Sequence, residues 1–353
     1  MPPFVVPGAP PAAPPREVVR LTKPFPHRLP DMNQVVGRDD LLLITLDTLR
    51  HDVAAGRIPH LAHHLPGGLW ETRHAPGNFT FASHQAMFAG FLPTPAAPGP
   101  HPRLFAGRFA GSETTAGRTW VFDTPDLVSG LAAAGYRTVC IGGVSFFNKQ
   151  GALGSVLPGM FQESHWQPAF GVTSPTSVEA QAVHAERIVA RLPNEQRLFL
   201  FVNASALHQP NWFHLYGASR EAGDTRATHA AALEYIDRHI GRLFTAMRSR
   251  RRCFVIVCSD HGTAYGEDGY TGHGLGHEAV AGAVRPLLPG AARMNASAAN
   301  PARRLFPPGP PHTVLRGPLW LSATSSPGAC PRRAHRPLPR RVGTPGQDDG
   351  VAC

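Results

Sequence analysis

Leu41-Leu42-Leu43-Ile44-Thr45-Leu46-Asp47 opens as a continuous apolar run and ends on a carboxylate. A buried parallel strand reads this way when both of its faces are covered. Ligands of open α/β sheets bind at the carboxyl ends of the strands, so Asp47 stands where a metal or a substrate would sit. A second run, Phe254-Val255-Ile256-Val257-Cys258-Ser259-Asp260-His261-Gly262, repeats the design with a carboxylate and an imidazole side by side. Adjacent Asp and His side chains reach one cation when the backbone turns sharply, and Gly262 permits such a turn. A lone Asp at a strand end also reads as a cap or turn residue, so the pair says more than either acid alone.

Outward from these two runs, helical and strand patterns alternate. The segment 78–90 reads as a loop followed by a short helix from Ala82, ended by Gly90 and Pro93. Thr124 and Pro125 read as the N-cap and first position of a helix to about Ala134. Strands follow at 137–141, 197–203 and 253–259, with helices at 176–191 and 226–248 between them. The segments 94–118 and 143–172 carry no such pattern and read as loops. This alternation predicts an α/β fold with a mainly parallel central sheet flanked by helices.

Composition narrows the function. The chain has 353 residues and a net charge of +10. Residues 281–353 hold ten Arg and two Asp, and residues 1–31 carry +2, so residues 32–280 are neutral in sum. The basic excess belongs to the ends, which argues against a nucleic-acid surface. Cys140, Cys253 and Cys258 lie on or beside predicted strands and read as core thiols. There is no secretory signal, and no apolar run approaches the roughly 20 residues of a membrane span. A cytoplasmic protein without membrane partners is expected.

The organisation expected is threefold. Residues 1–31 hold ten of the 37 prolines and read as a disordered extension, with Met32 the expected start of translation. Residues 32–280 form the folded domain. Residues 281–353 hold thirteen prolines and show no helix or strand pattern. They read either as a disordered tail or as a frameshifted stretch of a GC-rich gene.

Ser259-Asp260-His261-Gly262, the 44–52 strand end, and Thr80-Phe81-Ala82-Ser83-His84 with Gly90 and Pro93 together resemble the alkaline phosphatase superfamily, in its sulfatase-like and nucleotide-pyrophosphatase-like branches. The set is similar to that of sulfatase-like hydrolases encoded beside radical-SAM proteins in bacterial gene clusters. The resemblance covers residues 32–280. It implies Asp47, Asp260 and His261 as metal ligands, with Thr80 as nucleophile and further ligand. His84 stands at the motif position where sulfatases keep Arg, and it is expected, with His208 and His273, to hold oxygens of the transferred group or to protonate the leaving oxygen. His208, in Ala206-Leu207-His208-Gln209-Pro210, and His273, in Gly266-Glu267-Asp268-Gly269-Tyr270-Thr271-Gly272-His273, match residues that contact the substrate anion. Thr80 is neither Cys nor Ser, so formylglycine chemistry is not available to it. Thr48 stands where sulfatases carry a second Asp.

The resemblance thus implies a metal-dependent hydrolase of phosphate or sulfate esters with a covalent intermediate on Thr80, acting on a small anionic ester. One divalent ion is expected, Mn²⁺, Zn²⁺ or Mg²⁺: a second would draw on His208, His273 and His277 with Glu267 or Asp268, acids that read equally well as structural residues of the Gly-rich turn. A phosphoryl or phosphoethanolamine transferase, and a truncated non-catalytic domain that serves as a binding partner, are the alternatives. His60, His63 and His64, between Pro59 and Pro66, read as solvent-facing. The run Arg248-Ser249-Arg250-Arg251-Arg252 reads as a solvated helix end that complements the helix dipole.

Overall fold

A computed structural model describes residues 31–54, 58–64, 74–92, 105–107, 119–122, 126–273 and 284–286. The strands are β1 (Asp40–Leu46), β2 (Phe105–Gly107), β3 (Trp120–Phe122), β4 (Tyr136–Ile141), β5 (Glu163–His165), β6 (Arg197–Ala204), β7 (Cys253–Ser259), β8 (Ala264–Tyr265), β9 (Thr271–Gly272) and β10 (Val284–Pro286). The α-helices are α1 (His51–Ala54), α2 (Pro59–His64), α3 (Thr80–Ala89), α4 (Leu127–Ala133), α5 (Ala152–Gly159), α6 (Ser177–Arg191) and α7 (Arg226–Arg250).

The central sheet has the order β10-β7-β1-β6-β4-β5. Its five longer-range neighbours β7, β1, β6, β4 and β5 are parallel, and β10 closes the β7 edge antiparallel. Every residue of β1 is buried, as its unbroken apolar run requires at the centre of a two-sided sheet. Side chains alternate across it. Leu42, Ile44 and Leu46 pack with Leu49, Ala182, Ile188, Leu233, Ile236 and Phe244 on the face covered by α1, α2, α6 and α7. Leu41 and Leu43 pack with Phe199, Phe201, Phe88, Val128, Leu131 and Leu157 on the face covered by α3, α4 and α5. The result is three layers, helix, sheet and helix.

Register positions the chemistry. Leu46 pairs with Ala204 on one side and Ser259 on the other, so Asp47 and Asp260 leave adjacent strands at the same level. Thr45 pairs with Asn203. Two glycines follow β4 where space is short: a Cβ on Gly143 would lie 2.4 Å from the Asn203 carbonyl oxygen of β6, and one on Gly142 would lie 2.3 Å from the Phe147 Cβ.

The structure departs from the sequence reading in particular places. Helix α3 begins at Thr80 rather than Ala82, so Thr80 is its first residue. Helix α4 is capped by Asp126, whose carboxylate takes the N–H groups of Val128 and Ser129, rather than by Thr124; residues 123–125 lie outside the described residues. The stretch 143–172 carries α5 and β5 as well as loops, in pieces too short to show a period. β10 falls within the expected tail; three residues ending on a proline suit a sheet edge and leave no pattern to read. Residues 1–30, and 281–353 apart from β10, lie outside the described residues. Cys140 and Cys258 are buried and Cys253 is half-buried, all as free thiols. Among the described residues, no helix is long and apolar enough to cross a membrane.

Candidate metal centre and active site

Asp47 follows β1 and Asp260-His261 follows β7, and all three side chains are fully buried. One ligand atom from each lies within 4.8 Å of the others, which makes the group the one cluster among the described residues with the geometry to hold a metal ion. His261 Nε2 stands 3.5 Å from Asp260 Oδ2 and 3.9 Å from Asp47 Oδ1. His261 Nδ1 is 2.9 Å from the Gly262 carbonyl oxygen, which only accepts, so Nδ1 carries the proton and Nε2 offers a lone pair to the cluster.

Each carboxylate is held through one oxygen and bare at the other. Asp260 Oδ1 takes the N–H groups of Thr48 at 3.1 Å and His261 at 2.9 Å. Asp47 Oδ2 takes Asn203 Nδ2 at 3.0 Å and the Thr80 hydroxyl at 3.3 Å. Asp47 Oδ1 and Asp260 Oδ2 are buried without a hydrogen-bond partner. Two bare, buried carboxylate oxygens beside an unprotonated imidazole nitrogen are costly alone and suited to a divalent cation. Burial pushes the Asp260 carboxyl well above the ordinary range, and the neighbouring Asp47 charge adds to the push. Burial also raises Asp47, but His208, His261 and the Asn203 hydrogen bond outweigh it and hold its carboxyl below the ordinary range. Without a cation, the proximity of the two buried carboxylates therefore opposes their being ionised together.

Thr80, at the first turn of α3, brings Oγ1 to 3.2 Å from His261 Nε2 as well as to Asp47. It is 1% exposed. Its helix has no side-chain cap, and Gly77 lets the preceding loop pass within van der Waals reach of Ser83. Thr48, next to Asp47, has φ 64, a left-handed conformation that is strained for a β-branched residue. That turn aims its N–H at Asp260.

The sulfatase family model matches residues 41–285, from the first strand through the outermost one. The chain belongs to the sulfatase family. No curated protein matches the sequence. Among solved structures, the C-terminal periplasmic domain of EcEptC from Escherichia coli, in complex with Zn, is 12% identical with a TM-score of 0.47, covering 70% of this chain and 72% of that one. PsFucS1 sulfatase from Pseudoalteromonas sp. is 15% identical with a TM-score of 0.46, over 73% of this chain and 64% of that one. A protein in the alkaline phosphatase superfamily from Vibrio parahaemolyticus is 16% identical with a TM-score of 0.44, over 70% and 59% respectively.

In this candidate site, the structure brings together Asp47, Thr80, Asp260 and His261 and adds a row of imidazoles. The His273 ring lies 4.6 Å from that of His261, and the His208 ring 5.3 Å from that of His273. Burial, together with the neighbouring His261 and His208, lowers the His273 pKa to about 4, so it is neutral at neutral pH. His208 Nδ1 is 2.6 Å from the Gln209 carbonyl oxygen, so Nε2 is the ring nitrogen not tied to that carbonyl.

His84 is placed differently from the expectation of a substrate contact. It is fully buried behind the cluster, among Phe88, Phe147 and Phe201. Nδ1 is bonded to the Thr80 carbonyl oxygen at 2.7 Å and Nε2 to Thr45 Oγ1 at 3.0 Å. Burial lowers its pKa to about 4. Starting the helix at Thr80 puts His84 one turn further along, where its ring folds back onto its own backbone. Asn203 gives no signal in the sequence, because an Asn near the end of a strand resembles an ordinary turn residue; its place shows in its pairing with Thr45. Arg50 likewise has no pattern around it that marks its role. It is buried, and it ties the β1 end to the 263–267 loop through the Thr263 carbonyl at 3.0 Å and Glu267 at 2.6 Å. That bond gives Glu267 a structural partner. The Asp268 side chain and His277 lie outside the described residues.

Proposed function

We propose that this chain is a metal-dependent hydrolase of phosphate esters in which Thr80 is the nucleophile. The observation that carries the reading is the position of Thr80 Oγ1, within 3.3 Å of Asp47 Oδ2 and His261 Nε2 in a buried cluster with two bare carboxylate oxygens. Asp47, Asp260 and His261 would hold the ion, with Thr80 Oγ1 beside it. When bound, a divalent ion supplies Lewis acidity that lowers the hydroxyl pKa and offsets charge on the transferred group.

The residues of the chain account for the remaining steps. The helix start and the hydrogen bond to Asp47 orient Oγ1 toward the site. Oγ1 bonds to phosphorus as the bond to the leaving oxygen breaks, giving a phospho-threonine. His208 Nε2, the nitrogen not tied to a carbonyl, takes the Thr80 hydroxyl proton as Oγ1 attacks and gives it to the leaving oxygen. Neutral His273 hydrogen-bonds a non-bridging oxygen. Water then attacks phosphorus and gives its proton to His208 Nε2, the bond to Oγ1 breaks, Oγ1 takes that proton to restore the hydroxyl, and inorganic phosphate or a phosphomonoester leaves. Phosphate is favoured over sulfate because a threonine does not yield the formylglycine that sulfate hydrolysis in this family uses.

The test is hydrolysis of bis-p-nitrophenyl phosphate, p-nitrophenyl phosphate and p-nitrophenyl sulfate by wild type and Thr80→Ala, with metal content measured on both. Turnover that needs metal, prefers a phosphate ester and vanishes in the variant supports the reading. Metal-loaded wild type and variant with equal rates would refute it. Adding a primary alcohol and following its phosphorylation separates hydrolysis from transfer, since both share the same intermediate.

A further inference from the structure

We propose that Asn203 is a positioning residue that holds Asp47 for the metal, an inference that rests on reading Asp47, Asp260 and His261 as the metal centre. The two carboxylates need the same preparation, with one oxygen anchored and the other presented. For Asp260, the turn of the chain does this through two backbone N–H groups. Among the described residues, no backbone N–H reaches the Asp47 carboxylate. Its N–H anchor is the side-chain amide of Asn203, at 3.0 Å from Oδ2. The other donor to that oxygen is the nucleophile, which must leave it during reaction.

The amide is itself fixed, and its orientation follows from a chain of donors. The Thr80 carbonyl accepts only, so His84 Nδ1 carries a proton and His84 Nε2 does not. Thr45 therefore donates its hydroxyl proton to Nε2 at 3.0 Å, and its oxygen accepts from Asn203 Nδ2 at 3.3 Å. At the other end, Asn203 Oδ1 accepts the Val144 N–H at 3.0 Å. The NH₂ group thus faces Asp47, and its oxygen faces the β4 exit. Asn203 is 0% exposed, so water does not substitute for these bonds. The same circuit links the anchored carboxylate to the first turn of the nucleophile helix, and it gives buried His84 its role. Partners of this kind orient a ligand and contribute to metal affinity without touching the ion.

The experiment is titration of metal-free full-length protein with Mn²⁺ by calorimetry, and the visible absorption of the Co²⁺-loaded protein. Wild type, Asn203→Ala, Asn203→Ser and Ser205→Ala are compared. Ser205 lies on the same chain two residues on, buried and bonded to the Phe170 carbonyl, and touches neither carboxylate. The expected result is a 10- to 100-fold weaker Mn²⁺ Kd in both Asn203 variants, with altered Co²⁺ bands. Ser205→Ala loses stability yet keeps the wild-type Kd and spectrum. The serine variant decides the matter if the alanine variant does not fold. Unchanged Kd and Co²⁺ bands, with only a lower melting temperature in the Asn203 variants, would overturn the proposal. Wild type that binds neither ion would instead overturn the metal-centre reading on which it stands.

Discussion

Thr48 carries the backbone strain of the site. Its φ of 64 costs a non-glycine residue about 1–2 kcal/mol, and its buried hydroxyl has no hydrogen-bond partner. What the strain secures is the N–H directed at Asp260, which any residue supplies. Thr48→Gly is therefore expected to raise stability by about 1 kcal/mol in urea unfolding while leaving metal affinity unchanged. A drop in stability would mean that the packing of its methyl group outweighs the strain. Thr80 gives the opposite kind of prediction. Its hydroxyl is the reacting group, so Thr80→Ala should lower the turnover of phosphate esters by about 10³-fold or more. Mn²⁺ affinity should change by less than about tenfold, since the two carboxylates and His261 remain. Asp260→Asn, by contrast, should abolish tight binding. Asp47, Asp260 and His261 were legible because apolar strand runs end on them. Asn203 was not, because its meaning lies in a neighbour 158 positions away in sequence, Thr45.

At the scale of elements, the last turn of α7 shows where sequence pattern stops being informative. A basic run at a helix end reads as solvated, but Arg250 has a side chain only 4% exposed. It donates to the carbonyls of Val189, Leu192, Pro193 and Gln196 and pairs with buried Asp40 at 3.2 Å. It thereby closes the C-terminal end of α6, the entry to β6 and the start of β1 around one guanidinium. Arg252 pairs with Asp39, and Arg248 lies 2.9 Å from His64, itself half-buried and stacked on Phe244. Periodicity located α6, α7 and the strands because long amphipathic or fully apolar segments carry their own signal. It could not say that a charge would be buried, because burial depends on which ends meet. Arg250→Met should cost about 3–5 kcal/mol in urea unfolding, leaving Asp40 charged and unpaired. Arg250→Met with Asp40→Leu should recover much of that loss. Full stability in the single variant would show that the ion pair is not holding this corner.

For the whole molecule, buried histidines set the acid limit. His229 is fully buried, 2.9 Å from the Tyr265 hydroxyl, and burial together with nearby Arg50 lowers its pKa to about 3. His214, stacked on Tyr235, is lowered by burial to about 4. Neither belongs to the metal cluster. The folded pKa of each lies below the unfolded 6.5, so the unfolded chain takes up protons first as the pH falls. Their contribution is fully present above pH 6.5 and is lost progressively toward pH 3–4. His229 alone implies a slope of about 1.4 kcal/mol per pH unit across that window. Metal-free Asp260 acts with the opposite sign, because its raised folded pKa favours the native state below the ordinary carboxylate range and costs stability as the pH rises. A bound cation removes that opposing contribution. Urea unfolding at pH 7, 6 and 5 should therefore show stability falling with pH more steeply in Mn²⁺-loaded than in metal-free protein. His229→Asn, which keeps a polar atom toward Tyr265 but does not titrate, should flatten both profiles by the slope of one histidine. Parallel profiles for wild type and His229→Asn would mean that His229 is already free to protonate in the folded state, and that the acid limit lies elsewhere in the chain.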